Sequence, residues 1–318
     1  MTKWLALATA GVLAFGVAAC GGDSDSSASG SSGGGELSGK ILIDGSSTVA
    51  PLSEPAAELF MEENPGVTIT VGTSGTGGGF EKFCTGETDI SDASRPIEED
   101  ETAMCKSNGI TSEQLAVAND ALTVVVNPDN PVDCITVDQL RQIWEPKSKV
   151  TNWSQIDGLQ GAPDAELDLY GPGTDSGTFD YFTDAVNGEE GASRTDYNNV
   201  GEDDNATVTG VSGSEGGMGY FGYSFYTENE GTLKALEVDG GDGCVAPSPE
   251  TTQDGSYKPL GRQLFIYPSA KALKRPEVKA FVEFYIENAA AIAEQAGFIG
   301  LTQEQVTEAQ EKVAKLAG

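Results

Sequence analysis

The chain has 318 residues, of which 38% are hydrophobic, and it carries a formal net charge of −32 at pH 7 with no histidine. This length and hydrophobicity predict a substantial buried core, arranged in two domains or lobes. The negative charge argues against binding to nucleic acid or to anionic lipid, and the lack of histidine removes the commonest general base and metal ligand.

The first 19 residues have the pattern of an export signal. Lys3 supplies a positive start, residues 4–14 are apolar, and residues 17–20 end in Cys20 and resemble a bacterial lipobox. The resemblance implies cleavage before Cys20 and lipid attachment to its thiol, which would anchor the exported protein to the outer face of the bacterial cell membrane. A plain signal peptide with an incidental cysteine is the alternative. Residues 20–37 then form the lipidated cysteine and a Ser/Gly-rich tether that cannot bury a core.

From residue 40 onwards, apolar strand patterns alternate with helical ones. The predicted strands are 40–43, 67–71, one that leads into a polar turn within 88–96, 115–117, 122–126, 167–170 and 263–267. The predicted helices are 53–63, 80–86, 98–106, 136–144, one after residue 176 and one from residue 276. The alternation predicts an α/β fold with an open, mostly parallel sheet, in which ligands bind at the carboxyl ends of the strands.

Three strand-to-helix turns share one chemistry. Residues 44–51, 72–79 and 170–179 each join a strand to a helix through glycine, serine and threonine. Backbone N–H groups at a helix start, together with nearby hydroxyls and the helix dipole, form a cradle for an anion. Ordinary helix capping explains any one of these turns equally well. The repetition of the pattern three times favours an anion site.

Four cysteines lie beyond the signal, and in an exported chain they predict two disulfides with three possible pairings. The pairs Cys84–Cys105 and Cys134–Cys244 are favoured because each would lie within one lobe. No two cysteines have C-x-x-C spacing, which argues against zinc, and we predict neither a metal site nor a cofactor.

These segments resemble the phosphate-binding lipoproteins of high-affinity phosphate ABC importers, which are two-lobed periplasmic-type solute-binding proteins. The resemblance rests on residues 45–48, 74–79, 89–96, 139–153, 175–179 and 276–281, and it extends over most of residues 40–299. It implies a type II periplasmic-binding-protein fold with the ligand in the cleft between lobes. Lobe 1 is expected to comprise residues 38–120 and 255–318, and lobe 2 residues 121–254.

The resemblance also assigns the phosphate donors by position. The first turn would contribute the Ser47 hydroxyl and the Thr48 N–H, and the second turn a hydroxyl of Thr76 or Ser74. The third turn would close on the ligand from the other lobe with hydroxyl and N–H groups from Ser176, Gly177 and Thr178.

Two positions depart from the family pattern. The family has an arginine where this chain has Pro172, and an acidic acceptor for the phosphate proton where this chain has Ser94. Arg95 is therefore the expected cation, with Arg194 as the second possibility.

Asp92 and Asp175 are the expected proton acceptors. Simpler structural roles compete with both kinds of assignment. Arg95 could form a surface ion pair with Glu98 or Glu99, and Asp175 could cap the following helix.

The resemblance implies that the protein captures inorganic phosphate as a monomer and presents it to membrane permease subunits. Alternatives are another tetrahedral oxyanion, such as sulfate or molybdate, or a sensing or adhesion protein of the same fold. Catalysis is not expected, because the chain lacks a histidine base, a G-x-S-x-G motif and clustered metal-binding carboxylates. A Ser/Lys dyad is left open by the sequence.

Overall fold

The computed structural model describes residues 36–318, so the predicted signal, Cys20 and most of the tether lie outside the described residues. The strands are β1 Gly39–Gly45, β2 Val67–Gly72, β3 Ile90–Ala93, β4 Leu115–Val126, β5 Cys134–Thr136, β6 Asp168–Gly171, β7 Asn198–Asn199, β8 Gly217–Gly222, β9 Lys234–Ala235, β10 Glu237–Asp239, β11 Cys244–Val245 and β12 Gly261–Pro268. The helices are α1 Ala50–Glu63, α2 Gly75–Thr85, α3 Glu99–Ser107, α4 Val137–Trp144, α5 Gly177–Asn187, α6 Asp204–Gly213, α7 Tyr223–Glu228, α8 Pro249–Gln253, α9 Pro276–Gln295 and α10 Gln303–Ala317. None of the helices within this range is long and apolar enough to cross a membrane.

The main sheet runs through both lobes with the strand order β2-β1-β3-β12-β4-β8-β6-β7, and β9 also pairs with β4. Strands β11, β10 and β5 form a separate small sheet. The outer strands are parallel to their neighbours, whereas β12 and β4 are antiparallel to each other. Strand β4 pairs with β12 along its first half and with β8 along its second half. Both halves of the molecule are therefore built onto this one long strand.

Two large hydrophobic cores lie on either side of this central pair. The first lobe packs β1, β2 and the start of β4 against α1, α9 and α10, and a smaller cluster under α2 and α3 covers the other face. The second lobe packs the end of β4, β6 and β8 against α4 and α5, with α6 and α7 on the opposite face. Each lobe therefore has helices on both faces of the sheet, which is the two-lobed α/β architecture that the sequence predicts.

The structure differs from the predicted elements in β4 and at the start of α2, among other places. The two predicted strands at 115–117 and 122–126 are one continuous strand, because residues 118–121 are also extended and buried. This strand is antiparallel to its neighbours, although its apolar run is typical of a buried parallel strand. Helix α2 begins at Gly75, before the predicted start, because its glycine-rich first turn is already helical.

Both favoured disulfides are present. Cys84–Cys105 joins α2 to α3 in the first lobe, and Cys134–Cys244 joins β5 to β11 in the second. The thiolates that could have bound a metal are therefore used in covalent bonds.

Helix α2 packs closely on β1 through Gly79. A Cβ at this position would lie 2.5 Å from Gly45 Cα and 3.0 Å from the Asp44 carbonyl oxygen, whereas a Cβ at Gly77 would meet only Arg95 Nη2, at 4.0 Å.

We expect Gly79→Ala to lower the free energy of unfolding by about 1–3 kcal/mol through overpacking against backbone. The matched variant Gly77→Ala should raise it by up to about 1 kcal/mol through helix propensity. Urea unfolding checks both, and equal effects would contradict the close packing.

Candidate functional site

A cavity of about 700 Å³ lies between the two lobes, at the carboxyl ends of β1, β2 and β3. It is lined by Ser46, Ser47, Thr48, Ser74, Gly75, Thr76, Gly77, Gly78, Ser94, Arg95, Pro96, Glu98, Gly177, Asp180, Tyr181, Asp184, Ala185, Glu190, Pro259, Arg262, Gln263 and Phe265. The first lobe therefore supplies mainly hydroxyls and glycines, and the second lobe supplies one face of α5.

The first turn leads from β1 into α1. The Ser46 N–H donates to the Asp92 carbonyl oxygen at 2.9 Å, and Ser46 Oγ accepts the Thr48 N–H at 3.2 Å. The side chain of Ser47 is exposed and that of Thr48 is half-buried at the cavity wall. Ser46 therefore shapes the turn, and its hydroxyl already accepts the Thr48 N–H that the family resemblance assigns to the ligand.

The second turn is tied to the first by Asp44. Its carboxylate accepts hydrogen bonds from the Ser74 N–H at 3.1 Å, from Ser74 Oγ, and from Lys82 Nζ at 2.6 Å. Partial burial raises the pKa of Asp44, but the bonds from Lys82 and Ser74 outweigh burial and lower it overall. This ionised carboxylate fixes the start of α2 at the cavity, where the first N–H groups of the helix have no partner within the helix.

The third turn begins α5. Gly177 lines the cavity, and a Cβ on it would lie 3.0 Å from Thr48 Oγ1, so the two lobes nearly touch here. Ser176 is the N-cap residue of α5 and is buried. Ser176, Thr178 and Asp175 are absent from the cavity lining among the described residues, so only Gly177 of this predicted set reaches the wall.

Thr76 and Ser94 form one hydroxyl pair at the cavity. Their hydroxyl oxygens are 3.1 Å apart, and the Ser94 N–H donates to Thr76 Oγ1 at 3.2 Å. The structure thus brings Ser47, Thr48, Ser74, Thr76, Ser94, Arg95 and Gly177 together around one space.

Arg95 lies at the cavity edge but faces a cluster of acidic residues at the start of α3. Its two terminal nitrogens donate to the Glu101 carboxylate at 2.8 and 2.9 Å, and Nε lies 3.2 Å from Glu98 Oε1. These contacts, with Glu101 first, raise the pKa of Arg95. The ion pair with Glu98 that competes with the ligand role is present, and Glu101 joins it in place of Glu99.

Arg194, the second expected cation, lies away from the cavity in a buried position. It binds Asp196 at 2.7 and 3.0 Å and donates to the carbonyl oxygens of Ile143 and Val150 at 3.0 and 2.9 Å. These contacts give Arg194 a structural role at the end of α4.

Arg262, near the start of β12, is a charged residue of the cavity that the sequence pattern did not predict. Its guanidinium lines the cavity, its Nε donates to Asp120 Oδ2 at 3.1 Å, and its Cζ lies 3.4 Å from the ring centroid of Tyr181. A single arginine beside the apolar run of the β12 strand was the available signal. Its proximity to the three turns depends on the pairing of β12 with β3 and β4, which sequence spacing does not reveal.

The wall contributed by the second lobe is acidic. Asp180, Asp184 and Glu190 line it, and burial raises the pKa of Asp180, with the charge of Glu190 adding to the rise and that of Arg262 opposing it. Asp180 was also missed, because a carboxylate in the first turn of a helix is ordinary helix chemistry.

Asp92 does not face the cavity as the sequence analysis expected. It is fully buried in β3, and neither carboxyl oxygen has a well-formed hydrogen bond. Burial raises its pKa to about 8, with the Ser53 hydroxyl of α1 opposing the rise and the charge of Asp44 adding to it. The side chain alternation of β3 directs this carboxyl into the core of the first lobe.

The chain is similar to known proteins in both sequence and structure. The family model described as the PBP superfamily domain matches residues 30–289. Protein SphX of Synechococcus elongatus is 46% identical over 86% of this chain and 80% of its own length, and the phosphate-binding protein PstS of Staphylococcus saprophyticus is 39% identical over 100% of this chain and 96% of its own. The crystal structure of a possible phosphate-binding protein from Planctomyces limnophilus is 44% identical, has a TM-score of 0.83, and covers 89% of this chain and 100% of that one.

The fold and the cleft define a two-lobed protein of the periplasmic-binding-protein class. The chain belongs to the PBP superfamily and, within it, to the PstS-type family.

Asp92 should make stability depend on pH. Its pKa is about 8 in the folded state and close to the ordinary 3.8 in the unfolded state, so the folded state keeps a proton that the unfolded state releases between these values. The contribution of Asp92 to the free energy of unfolding is complete below pH 3.8. It falls by about 1.4 kcal/mol per pH unit as the pH rises from 3.8 towards about 8.

We expect Asp92→Asn to remove this fall, because asparagine does not titrate. Urea unfolding of both proteins at pH 5, 6 and 7 measures the difference in stability at each pH. Parallel pH profiles for the two proteins would contradict the assignment, whatever the offset between them.

Proposed function

We propose that the protein binds inorganic phosphate in the cleft between its lobes and delivers it to an ABC-type phosphate importer. The observation that carries this proposal is the convergence of three strand-to-helix turns on one cavity: residues 46–48 before α1, the first turn of α2 and the first turn of α5. The starts of α2 and α5 offer the N–H groups that have no partner within the helix, together with the positive end of the dipole, to an anion. At the start of α1 the N–H groups of Ala50, Leu52 and Ser53 are bonded within the turn. The relative from Staphylococcus saprophyticus is itself named a phosphate-binding protein.

Capture is proposed to work by closure of the lobes. The cavity of about 700 Å³ is much larger than one tetrahedral oxyanion, so the lobes have room to move together around it. Closure would bring the first-lobe hydroxyls and the α5 N-terminus onto the same anion and remove water, which strengthens each hydrogen bond.

The acidic second-lobe wall favours hydrogen phosphate over sulfate in this proposal. Asp180 lies in the first turn of α5 and lines the cavity, so a protonated ligand oxygen could donate to it. Sulfate at neutral pH has no proton to donate and would leave two negative groups facing each other. This role takes the place of the one that the sequence analysis gave to Asp92 or Asp175.

We infer that the cleft binds and does not catalyse. The residues lining it within the described part of the chain include neither cysteine nor lysine, so they do not form the Ser/Lys dyad that the sequence leaves open. Lys82, beside the second turn, is engaged by Asp44.

Isothermal titration calorimetry with phosphate, sulfate and molybdate at one pH tests the function. We expect phosphate to bind and sulfate to bind at least about 100-fold more weakly, because a buried polar group would be left unpaired. Equal binding of all three would widen the function to tetrahedral oxyanions, and no binding of any would overturn it.

The same titration tests the first turn. Ser47→Ala should weaken phosphate binding by about 1.5–3 kcal/mol, the cost of losing a hydrogen bond to a charged ligand. Thr73→Ala is the matched control, because Thr73 is an exposed hydroxyl residue of the second turn that does not line the cavity. Equal affinities for wild type and Ser47→Ala would remove Ser47 from the site.

Export and lipid anchoring through Cys20 complete the proposal. We expect Cys20→Ala to leave phosphate binding of the purified protein unchanged and to release the protein from the membrane fraction, because the tether precedes the folded lobes. Membrane fractionation with immunoblotting measures this. Retention of the variant in the membrane fraction would contradict the anchor.

A further inference from the structure

We propose that Arg262 is the cation that binds the oxyanion, and that it links the anion to both lobes. This inference rests on the proposed function and replaces the expectation that Arg95 or Arg194 neutralises the ligand. The inference follows from a comparison of Arg95 with Arg262, namely which guanidinium nitrogens of each already have close hydrogen-bond partners.

The hydrogen-bonding capacity of Arg95 is largely used. Its Nη1 donates to Glu101 at 2.9 Å and to the Pro96 carbonyl oxygen at 3.2 Å, and its Nη2 donates to Glu101 at 2.8 Å. Its Nε lies 3.2 Å from Glu98. Glu101 in turn accepts the Glu98 N–H at 2.8 Å, so Arg95 completes the N-terminal cap of α3. An oxyanion would have to displace a paired, largely buried carboxylate to reach this guanidinium.

In Arg262, by contrast, the Nε atom has a close hydrogen-bond partner and the two terminal nitrogens have only distant ones. Among the residues that the structure describes, only Nε has a close partner, Asp120 Oδ2 at 3.1 Å. Nη1 lies 3.4 Å from the Ser94 carbonyl oxygen and Nη2 3.5 Å from Thr48 Oγ1, both at the outer limit of hydrogen bonding. The two terminal nitrogens are therefore available, and they point towards two of the turns that line the cavity. A guanidinium presents this pair of donors as a fork that matches two oxygens of a phosphate.

The side chain of Arg262 is held in this orientation from two sides. Asp120 on β4 fixes Nε, and Asp120 is itself buried. The ring of Tyr181 lies against the guanidinium, 3.4 Å from Cζ, and the Tyr181 hydroxyl donates to the Pro259 carbonyl oxygen at 2.9 Å. Stacking on a buried aromatic ring restricts the guanidinium to one plane and leaves its Nη edge towards the cavity.

These contacts cross the boundary between the lobes. Thr48 and Ser94 belong to the first lobe, whereas Tyr181 lies on α5, one helical turn after Gly177. An oxyanion bound to the Nη edge would therefore lie between the first-lobe turns and the start of α5. One side chain would both neutralise the ligand and hold the two lobes in the arrangement that binds it.

Titration calorimetry of phosphate into Arg262→Gln, Arg262→Lys and Arg95→Gln tests the proposal. Arg262→Gln should bind phosphate about 100-fold more weakly or worse, because two charge-assisted bonds are lost. Arg262→Lys keeps the charge but not the fork, so we expect a loss of about 10-fold. Arg95→Gln should lose less than either. Arg141→Gln is the control, because Arg141 pairs with Asp138 on an exposed face of α4 and does not line the cavity.

Phosphate binding by the wild type separates this proposal from the proposed function. If the wild type binds phosphate and Arg262→Gln binds it within about 3-fold, a change smaller than the loss of one charged hydrogen bond, Arg262 is not the cation and the function stands. A loss confined to Arg95→Gln would also overturn the proposal. If the wild type binds no phosphate, the function itself fails.

Chemical modification of the wild type keeps the proposal testable if Arg262→Gln does not fold. Phenylglyoxal modifies accessible guanidinium groups, and mass spectrometry locates them. We expect phosphate to slow modification of Arg262 and to leave that of Arg141 unchanged. Equal modification of Arg262 with and without saturating phosphate would overturn the proposal.

Discussion

Strands β4 and β12 run antiparallel through the middle of the sheet, and the cleft depends on this pairing. Their register places Arg262 opposite Asp120, next to the point where β4 leaves β12 and begins to pair with β8. The parallel strands on the first-lobe side end at the same edge, so their turns open onto this arginine. Strand β4 passes from one lobe to the other next to Arg262, so a bend at this point would leave Arg262 beside the cleft.

The electrostatic problem is to hold an anion in a chain with a net charge of −32. The field of the whole protein repels such a ligand, so attraction has to come from donors within a few ångströms. Helix N-termini supply fixed partial charges, and a guanidinium supplies a full one. Carboxylates then set the geometry of these donors: Asp44 holds the second turn, Glu101 holds Arg95, and Asp120 holds Arg262. Acidic residues therefore position the donors of the anion site, although their charge also repels the anion.

The features that were predicted correctly from the sequence are those that depend on neighbouring residues. The strand-to-helix turns, the helix predicted at 136–144, the start of α9 at Pro276 and the two disulfides all follow from neighbouring residues or from simple pairing, and all are present. The continuous strand β4 was divided in two, because residues 118–121 include Asn119 and Asp120, which are polar and atypical of strands. These two residues are buried because they face partners from distant parts of the chain, Gln305 and Arg262.

For the same reason, some residues of the site were predicted from the sequence and others were not. The turn hydroxyls of Ser47, Ser74 and Thr76 reach the cavity because their own turns fix them there, whereas those of Ser176 and Thr178 in the third turn do not line it. Charged residues depend on the alternation of strand faces and on long-range pairing. Asp92 lies two residues before Ser94, where the family has its acceptor, but its carboxyl is buried within β3 and does not line the cavity. Arg262 is separated from Thr48 by 214 residues, yet its Nη2 lies 3.5 Å from the Thr48 hydroxyl. In this chain the neutral donors are encoded locally, and the charges that would decide which anion binds are placed by tertiary structure.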